Sequence, residues 1–164
     1  MKTASLAALL LLGGLSVPAL AAPEAPPAAA EAKPSGPPKP WKEMSPQEKG
    51  KYMKEVIVPN MKPAFQAFDA DEFKKFGCET CHGKEAKARK FKMPNPEIFA
   101  LPATPAGFGE LMQKKGNWMK FMGGTVKPQM AALLGQPEFN PKKPEAGGFG
   151  CGECHTTKKE EAKK

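Results

Sequence analysis

Apolar side chains recur at four-residue intervals in two separate stretches of this chain. Met53, Ile57, Met61 and Phe65 form one series, and Met122, Val126, Met130 and Leu134 form the other. Such spacing places each series on one face of a helix. The stretches are copies at an offset of 69: Tyr52 matches Phe121, Met53 Met122, Ile57 Val126, Pro59 Pro128, Met61 Met130 and Phe65 Leu134. With four additional residues in the second copy, Phe76-Gly77-Cys78 also matches Phe149-Gly150-Cys151. A repeat of this kind means that one supersecondary unit is used twice. Here the unit is a helix, a loop and a cysteine-bearing segment.

Local signals set the ends of these elements. Ser45-Pro46-Gln47-Glu48 combines a capping residue, a proline in the first turn and an acid three places on, so the first helix is predicted to start there. Pro59 and Pro128 fall inside the two helices, where each removes a ladder hydrogen bond and predicts a kink or the start of a new turn. A short helix is predicted over Phe108 to Lys115, with the second copy starting at Asn117. Met93-Pro94-Asn95-Pro96 and Leu101-Pro102-Ala103-Thr104-Pro105 predict an irregular connection stiffened by proline. Gly123-Gly124 permits close approach of the backbone to a flat ring or a neighbouring helix, and Gly147-Gly148-Phe149-Gly150 a tight turn into the second cysteine segment. The expected fold class is a mostly α, small domain built on an internally repeated helix-loop-cysteine unit, with much irregular chain.

The ends of the chain read differently. Met1-Lys2-Thr3 is a short basic start, Ala4 to Leu15 is apolar, and Ser16-Val17-Pro18-Ala19-Leu20-Ala21 offers a small-residue processing site. Residues 1–21 therefore have the form of a secretory signal peptide, too short and wrongly flanked for a membrane span. Residues 22–40 hold seven prolines and six alanines, the composition of a semi-stiff linker. That leaves residues 41–157 as one folded domain and 158–164 as a charged tail. No later stretch reaches the roughly eighteen apolar residues of a transmembrane segment.

The chemistry is concentrated in the cysteines. All four fall in two C-x-x-C pairs, Cys78-Glu79-Thr80-Cys81 and Cys151-Gly152-Glu153-Cys154, and the chain's two histidines, His82 and His155, directly follow them. C-x-x-C-H is the attachment sequence of c-type haem. Thiols three residues apart reach the two vinyl groups of one porphyrin, and the next residue turns its imidazole under the ring as the proximal iron ligand. A Cys₄ zinc site and plain disulfides are competing readings that leave the histidines without a task, and a thioredoxin-like dithiol needs a βαβ setting, whereas neither pair follows a strand-forming sequence. The expected cofactors are two covalently attached haems c, held by Cys78, Cys81 and His82 and by Cys151, Cys154 and His155.

A sixth iron ligand has to come from elsewhere, because no third histidine exists. Methionine supplies a soft thioether suited to haem iron. Met61 and Met130 hold equivalent places in the repeat, each two residues after its proline, and are the expected distal ligands. Their ordinary alternative is core packing. Met93, some eleven residues past His82, is a rival at the first haem, and exchange of Met61 and Met130 between the haems is also open.

With these residues assembled, the chain resembles multihaem c-type cytochromes. Its local pattern is similar to the tetrahaem cytochrome subunit of photosynthetic reaction centres, where a methionine ligand on a helix precedes a turn and C-x-x-C-H. Met61 before Cys78–His82 and Met130 before Cys151–His155 look like two such units, over residues 47–82 and 118–155. This chain has two units and longer gaps between methionine and cysteine. It resembles the class I monohaem cytochromes less well. The resemblance implies electron transfer, with the haems supplying the redox chemistry and the protein setting potential, spacing and docking surface.

The expected function is therefore electron transfer by a dihaem, periplasmic or extracytoplasmic protein and not catalysis. Its partners would be a redox donor and acceptor, acidic or membrane-bound. Two alternatives are a small dihaem oxidoreductase such as a peroxidase with one open iron, and a haem-bearing sensor or assembly module. Residues 84–92 are strongly basic and expected to face solvent; Lys84, Lys87, Arg89, Lys90 and Lys92 are the expected docking patch. The formal net charge of +8 does not indicate nucleic acid, because the lysines are scattered with no recognition helix or stacking platform. Few large aliphatic residues are present, so the haems are expected to complete the core.

Overall fold

A computed structural model describes residues 36–158 of the chain; the expected signal peptide, most of the linker and most of the tail lie outside that range. Helix dominates. Among the described residues, strand-like pairing is confined to three isolated bridges. The mostly α expectation is met.

The first long helix begins where the sequence places it. Ser45 caps α1 (Pro46–Tyr52): its Oγ accepts the Glu48 N–H at 3.3 Å, and the Glu48 carboxylate accepts the Ser45 N–H at 2.7 Å. Lys39 adds an ion pair to Glu48 at 2.8 Å. The Lys39 hydrogen bond first, and the Ser45 bonds after it, hold the Glu48 carboxyl down at about 2. A side chain at Gly36 would collide with the Gly135 backbone at 2.5 Å, so the last residues of the expected 22–40 linker lie on the domain.

Both prolines produce the same local answer. Helix α1 passes through a π turn (Met53–Ile57) into α2 (Val58–Phe68), and α4 (Pro105–Phe121) passes through a π turn (Met122–Val126) into α5 (Lys127–Leu133). Proline has no N–H for the carbonyl four residues back, and its ring presses on that carbonyl. In the widened turns, the Val58 N–H reaches the Met53 carbonyl and the Lys127 N–H reaches the Met122 carbonyl. The expected kink is therefore a π bulge, at equivalent positions of both copies. The second long helix starts earlier than the sequence suggests, because Thr104 caps it by accepting the Gly107 N–H and Pro105 occupies its first turn. The expected break before Asn117 survives as non-helical backbone at Lys115 (φ −135°, ψ 39°).

The two long helices run antiparallel. Tyr52, at the end of α1, donates its hydroxyl proton to the Leu133 carbonyl at 2.6 Å, whereas Phe65 and Phe68 in α2 meet Phe121 at 5.0 Å and 4.2 Å between ring centroids. Phe65 is the hub of an aromatic core, with Phe73 and Phe76 each 4.8 Å away. Phe76 and Phe149, which stand two places before the first cysteine in each copy, are both buried in this core.

Beyond α2 the chain turns into α3 (Cys78–His82), and the second C-x-x-C-H segment opens with one 3₁₀ turn (Cys151–Glu153). The stretch 154–158 then lies parallel to 95–101, joined by Asn95 N–H to the Cys154 carbonyl (2.9 Å), Leu101 N–H to Thr156 (2.8 Å) and Lys158 N–H to Leu101 (2.7 Å).

Candidate functional site

The two helical faces identified by periodicity enclose one cavity. Its volume is about 1020 Å³, and all eight residues of the two four-residue series line it. Both C-x-x-C-H segments open onto the same space. The volume stands at the top of the ~300–1,000 Å³ usual for small-molecule sites. Met61 is 2% exposed, while Met130 is half-buried, and Met53, Met93, Met119 and Met122 also reach the cavity wall. Met61, Met130 and the rival Met93 are thus all gathered here. Glycines 77 and 150 lead into the attachment segments; at the first, Thr80 Oγ1 accepts the Gly77 N–H at 3.0 Å and closes the turn.

All four cysteines are free thiols. Cys81 and Cys154 are the inner pair: burial, then the neighbouring Cys78, pushes the Cys81 thiol up to about 11. Burial pushes the Cys154 thiol up to about 12, with Cys81, Glu153 and Cys151 adding to it. That Cys81 acts on Cys154 reflects how closely the two attachment segments approach. Among the described residues, no group of three or more His, Cys, Asp or Glu is gathered as a metal-ion site.

The two imidazoles differ. His155 Nδ1 lies 2.8 Å from the Phe99 carbonyl. A carbonyl can only accept, so Nδ1 carries a proton there and Nε2 is the nitrogen that could bind a metal. His82 is half-buried, its ring edge-on to Phe91 at 5.5 Å, and its buried Nδ1 has no hydrogen-bond partner. Burial first, and the Arg89 charge second, lower the His82 pKa from 6.5 and favour the neutral ring that metal binding requires. The donor set around the cavity suits two haems: paired thiols, an imidazole beside each pair, and thioethers on the facing helices.

One expectation about the surface is corrected. Lys84, Lys87, Lys90 and Lys92 are exposed as anticipated, but Arg89 is turned into its own loop. Its guanidinium donates to Asn95 Oδ1 (2.6 Å) and to the carbonyls of Lys92 (2.8 Å) and Pro94 (3.2 Å), and pairs with Glu97 at 3.5 Å. The planar fork satisfies several acceptors at once, which a lysine could not do. Glu97 in turn accepts the Lys84 N–H (2.7 Å) and the Glu85 N–H (3.2 Å), tying the loop shut. Its carboxylate occupies the space that a Cβ at Gly83 would need, 2.6 Å away, and Gly83 has a positive φ of 79°. Lys90 and Phe91 also have positive φ, 53° and 56°, at the point where Phe91 reaches the cavity beside His82.

Sequence reasoning missed Asn95, Glu97 and the Phe99 carbonyl. Asn95 is 0% exposed, the one residue among the described polar and charged ones in the buried class. Its only sequence signal is its place between two prolines. A main-chain carbonyl such as that of Phe99 leaves no trace in residue identity. No family model matches the chain, and no curated protein or solved structure matches it.

Proposed function

We propose that this protein transfers electrons outside the cytoplasmic membrane through two covalently attached c-type haems. The observation that carries the proposal is convergence: both C-x-x-C-H segments and the equivalent methionines of both repeats meet in one apolar cavity of about 1020 Å³. In this reading Cys78 with Cys81, and Cys151 with Cys154, anchor the cofactors against loss after export. His82 and His155 bind iron from one side, and Met61 and Met130 from the other. The haems supply the one-electron redox chemistry. The apolar helix faces exclude water, and thioether ligation favours a higher potential than a second imidazole would. The exposed Lys84, Lys87, Lys90 and Lys92 offer a basic surface to an acidic redox partner. No helix among the described residues is long and apolar enough to cross a membrane.

Production in a host with a c-type maturation system, followed by denaturing mass spectrometry, tests this directly. Two haem additions per chain are expected; a haem-free mass with stoichiometric zinc would overturn the proposal. Met61→Ala and Met130→Ala should each open one iron to carbon monoxide, whereas Met93→Ala should open neither. Opening of the first haem by Met93→Ala, and not by Met61→Ala, would move the ligand assignment. Carbon monoxide binding by the unaltered protein would favour the oxidoreductase reading.

A further inference from the structure

The two attachment segments are far apart in sequence, yet one residue joins them, through its backbone on one side and its side chain on the other. Asn95 donates from its backbone N–H to the Cys154 carbonyl at 2.9 Å and from Nδ2 to the Cys81 carbonyl at 3.0 Å. Each of those carbonyls belongs to the second cysteine of its motif, directly before the histidine. Asn95 Oδ1 accepts from Arg89 Nη1 at 2.6 Å and from the Glu97 N–H at 2.9 Å, so its amide cannot turn over without losing three bonds at once. The residue is fully buried, and a buried amide is retained in a core only when its donors and acceptors are matched.

Arg89 and Glu97 explain how the asparagine is held. The loop 83–97 closes on itself through the Glu97 carboxylate and the Arg89 guanidinium, and it presents Asn95 from a rigid base.

The geometry points to Asn95 as the positioning residue that fixes the two C-x-x-C-H segments relative to each other, and through them the mutual orientation of the two haems. This rests on the dihaem reading and goes beyond it. Covalent attachment alone fixes each haem to its own segment. The Asn95 link makes the two segments one body.

The test is the Soret circular dichroism of the holoprotein. Two haems held at a fixed angle and short separation give a bisignate couplet, while each haem's own absorption does not depend on its neighbour's orientation. Asn95→Asp keeps the acceptor toward Arg89 and Glu97 and replaces the donor to Cys81. It should retain two haem additions by mass and an unchanged absorption spectrum, and lose more than half of the couplet. Should the buried charge prevent maturation, Asn95→Ser removes the Cys81 donor without adding a charge, and with it the acceptor that faces Arg89 and Glu97. Ser45→Ala, which removes a helix cap remote from this loop, controls for lost stability alone and should keep the couplet. A full couplet in both Asn95 variants, or its equal loss in Ser45→Ala, would overturn the inference and leave the dihaem assignment standing. A wild-type protein without covalent haem would overturn both.

Discussion

Tyr52 offers a sharp test of the helix pair that walls the cavity. Leu133 is the last residue of α5, and its carbonyl would ordinarily receive the N–H of residue 137, which is a proline. The Tyr52 hydroxyl fills that vacancy at 2.6 Å across the antiparallel pair, and burial pushes its phenol above the ordinary 10.0, which keeps the donor proton in place. The repeat places phenylalanine, not tyrosine, at the equivalent position 121. The reason lies in the partner. The equivalent of Leu133 is Ala64, which sits inside α2, just ahead of the Asp69 N–H to Phe65 carbonyl bond at 3.0 Å, where the ladder is still intact. One copy ends its helix and needs a hydroxyl; the other continues and does not.

Tyr52→Phe should therefore leave a buried carbonyl unpaired at a cost of about 1–3 kcal/mol. With a urea m-value of ~2 kcal/mol/M, the midpoint should fall by roughly 0.5–1.5 M at constant m. For a domain of this size, each kcal/mol lowers Tm by about 3–5 °C. The reverse exchange, Phe121→Tyr, should also destabilise, by ~1–3 kcal/mol, because it buries a hydroxyl that meets no orphan carbonyl. Equilibrium unfolding of both variants checks the argument. A Tyr52→Phe midpoint equal to wild type, or a Phe121→Tyr protein more stable than wild type, would refute it.

Three further outcomes are expected. Glu48 titrates in the folded chain at about 2 against an ordinary 4.5, so its contribution is full above pH 4.5 and is lost as pH falls toward 2; the Tm gap between wild type and Glu48→Gln should close over that range, and a gap as wide at pH 2 as at pH 6 would contradict the assignment. Gly148 has a φ of 120°, and an added Cβ would lie 2.7 Å from the Pro137 oxygen and 2.8 Å from the Phe139 nitrogen; Gly148→Ala should lose about 1–3 kcal/mol in denaturant titration while Gly152→Ala, with nothing within 4 Å, stays within ~0.5 kcal/mol. On the dihaem reading, the Phe99 carbonyl bonded to His155 Nδ1 makes that imidazole the stronger electron donor to iron, and the His82 Nδ1 has no such partner. A variant keeping only the haem at His155 should therefore show a lower midpoint potential than one keeping only the haem at His82; equal or inverted potentials would refute this.

The helices and their shared face were legible because periodicity records which side is buried, and the Ser45-to-Glu48 cap because its partners are three residues apart. The π turns were legible only as an effect of proline; the choice between a kink and a bulge depends on which carbonyl recovers a donor, and that is a backbone matter. The docking patch was misread at Arg89 because composition does not distinguish a solvated cation from one folded into three carbonyl-type acceptors. The scarcity of large aliphatic residues was legible, but composition did not show that Phe65, Phe73, Phe76 and Phe121 gather into an aromatic wall beside the cavity. Asn95 carried no signal beyond its flanking prolines, because the partners it joins lie 14 residues away at Cys81 and far along the chain at Cys154.

A repeated unit supplies two like helices, but the connections decide whether the two sites are alike. The first attachment segment is a turn of α-helix, Cys78–His82, whereas the second leaves a 3₁₀ turn and draws His155 into a bridge with Asn95. That bridge exists because residues 95–101 pass beside the segment 154–158. The loop 83–101 contributes the Phe99 carbonyl to His155, the Asn95 amide to Cys81 and the Arg89 charge near His82. Symmetric helices thus build the cavity, and this loop makes its two ends chemically different. On the dihaem reading, that difference is what gives an electron a preferred site within the molecule, since two identical sites would share it equally.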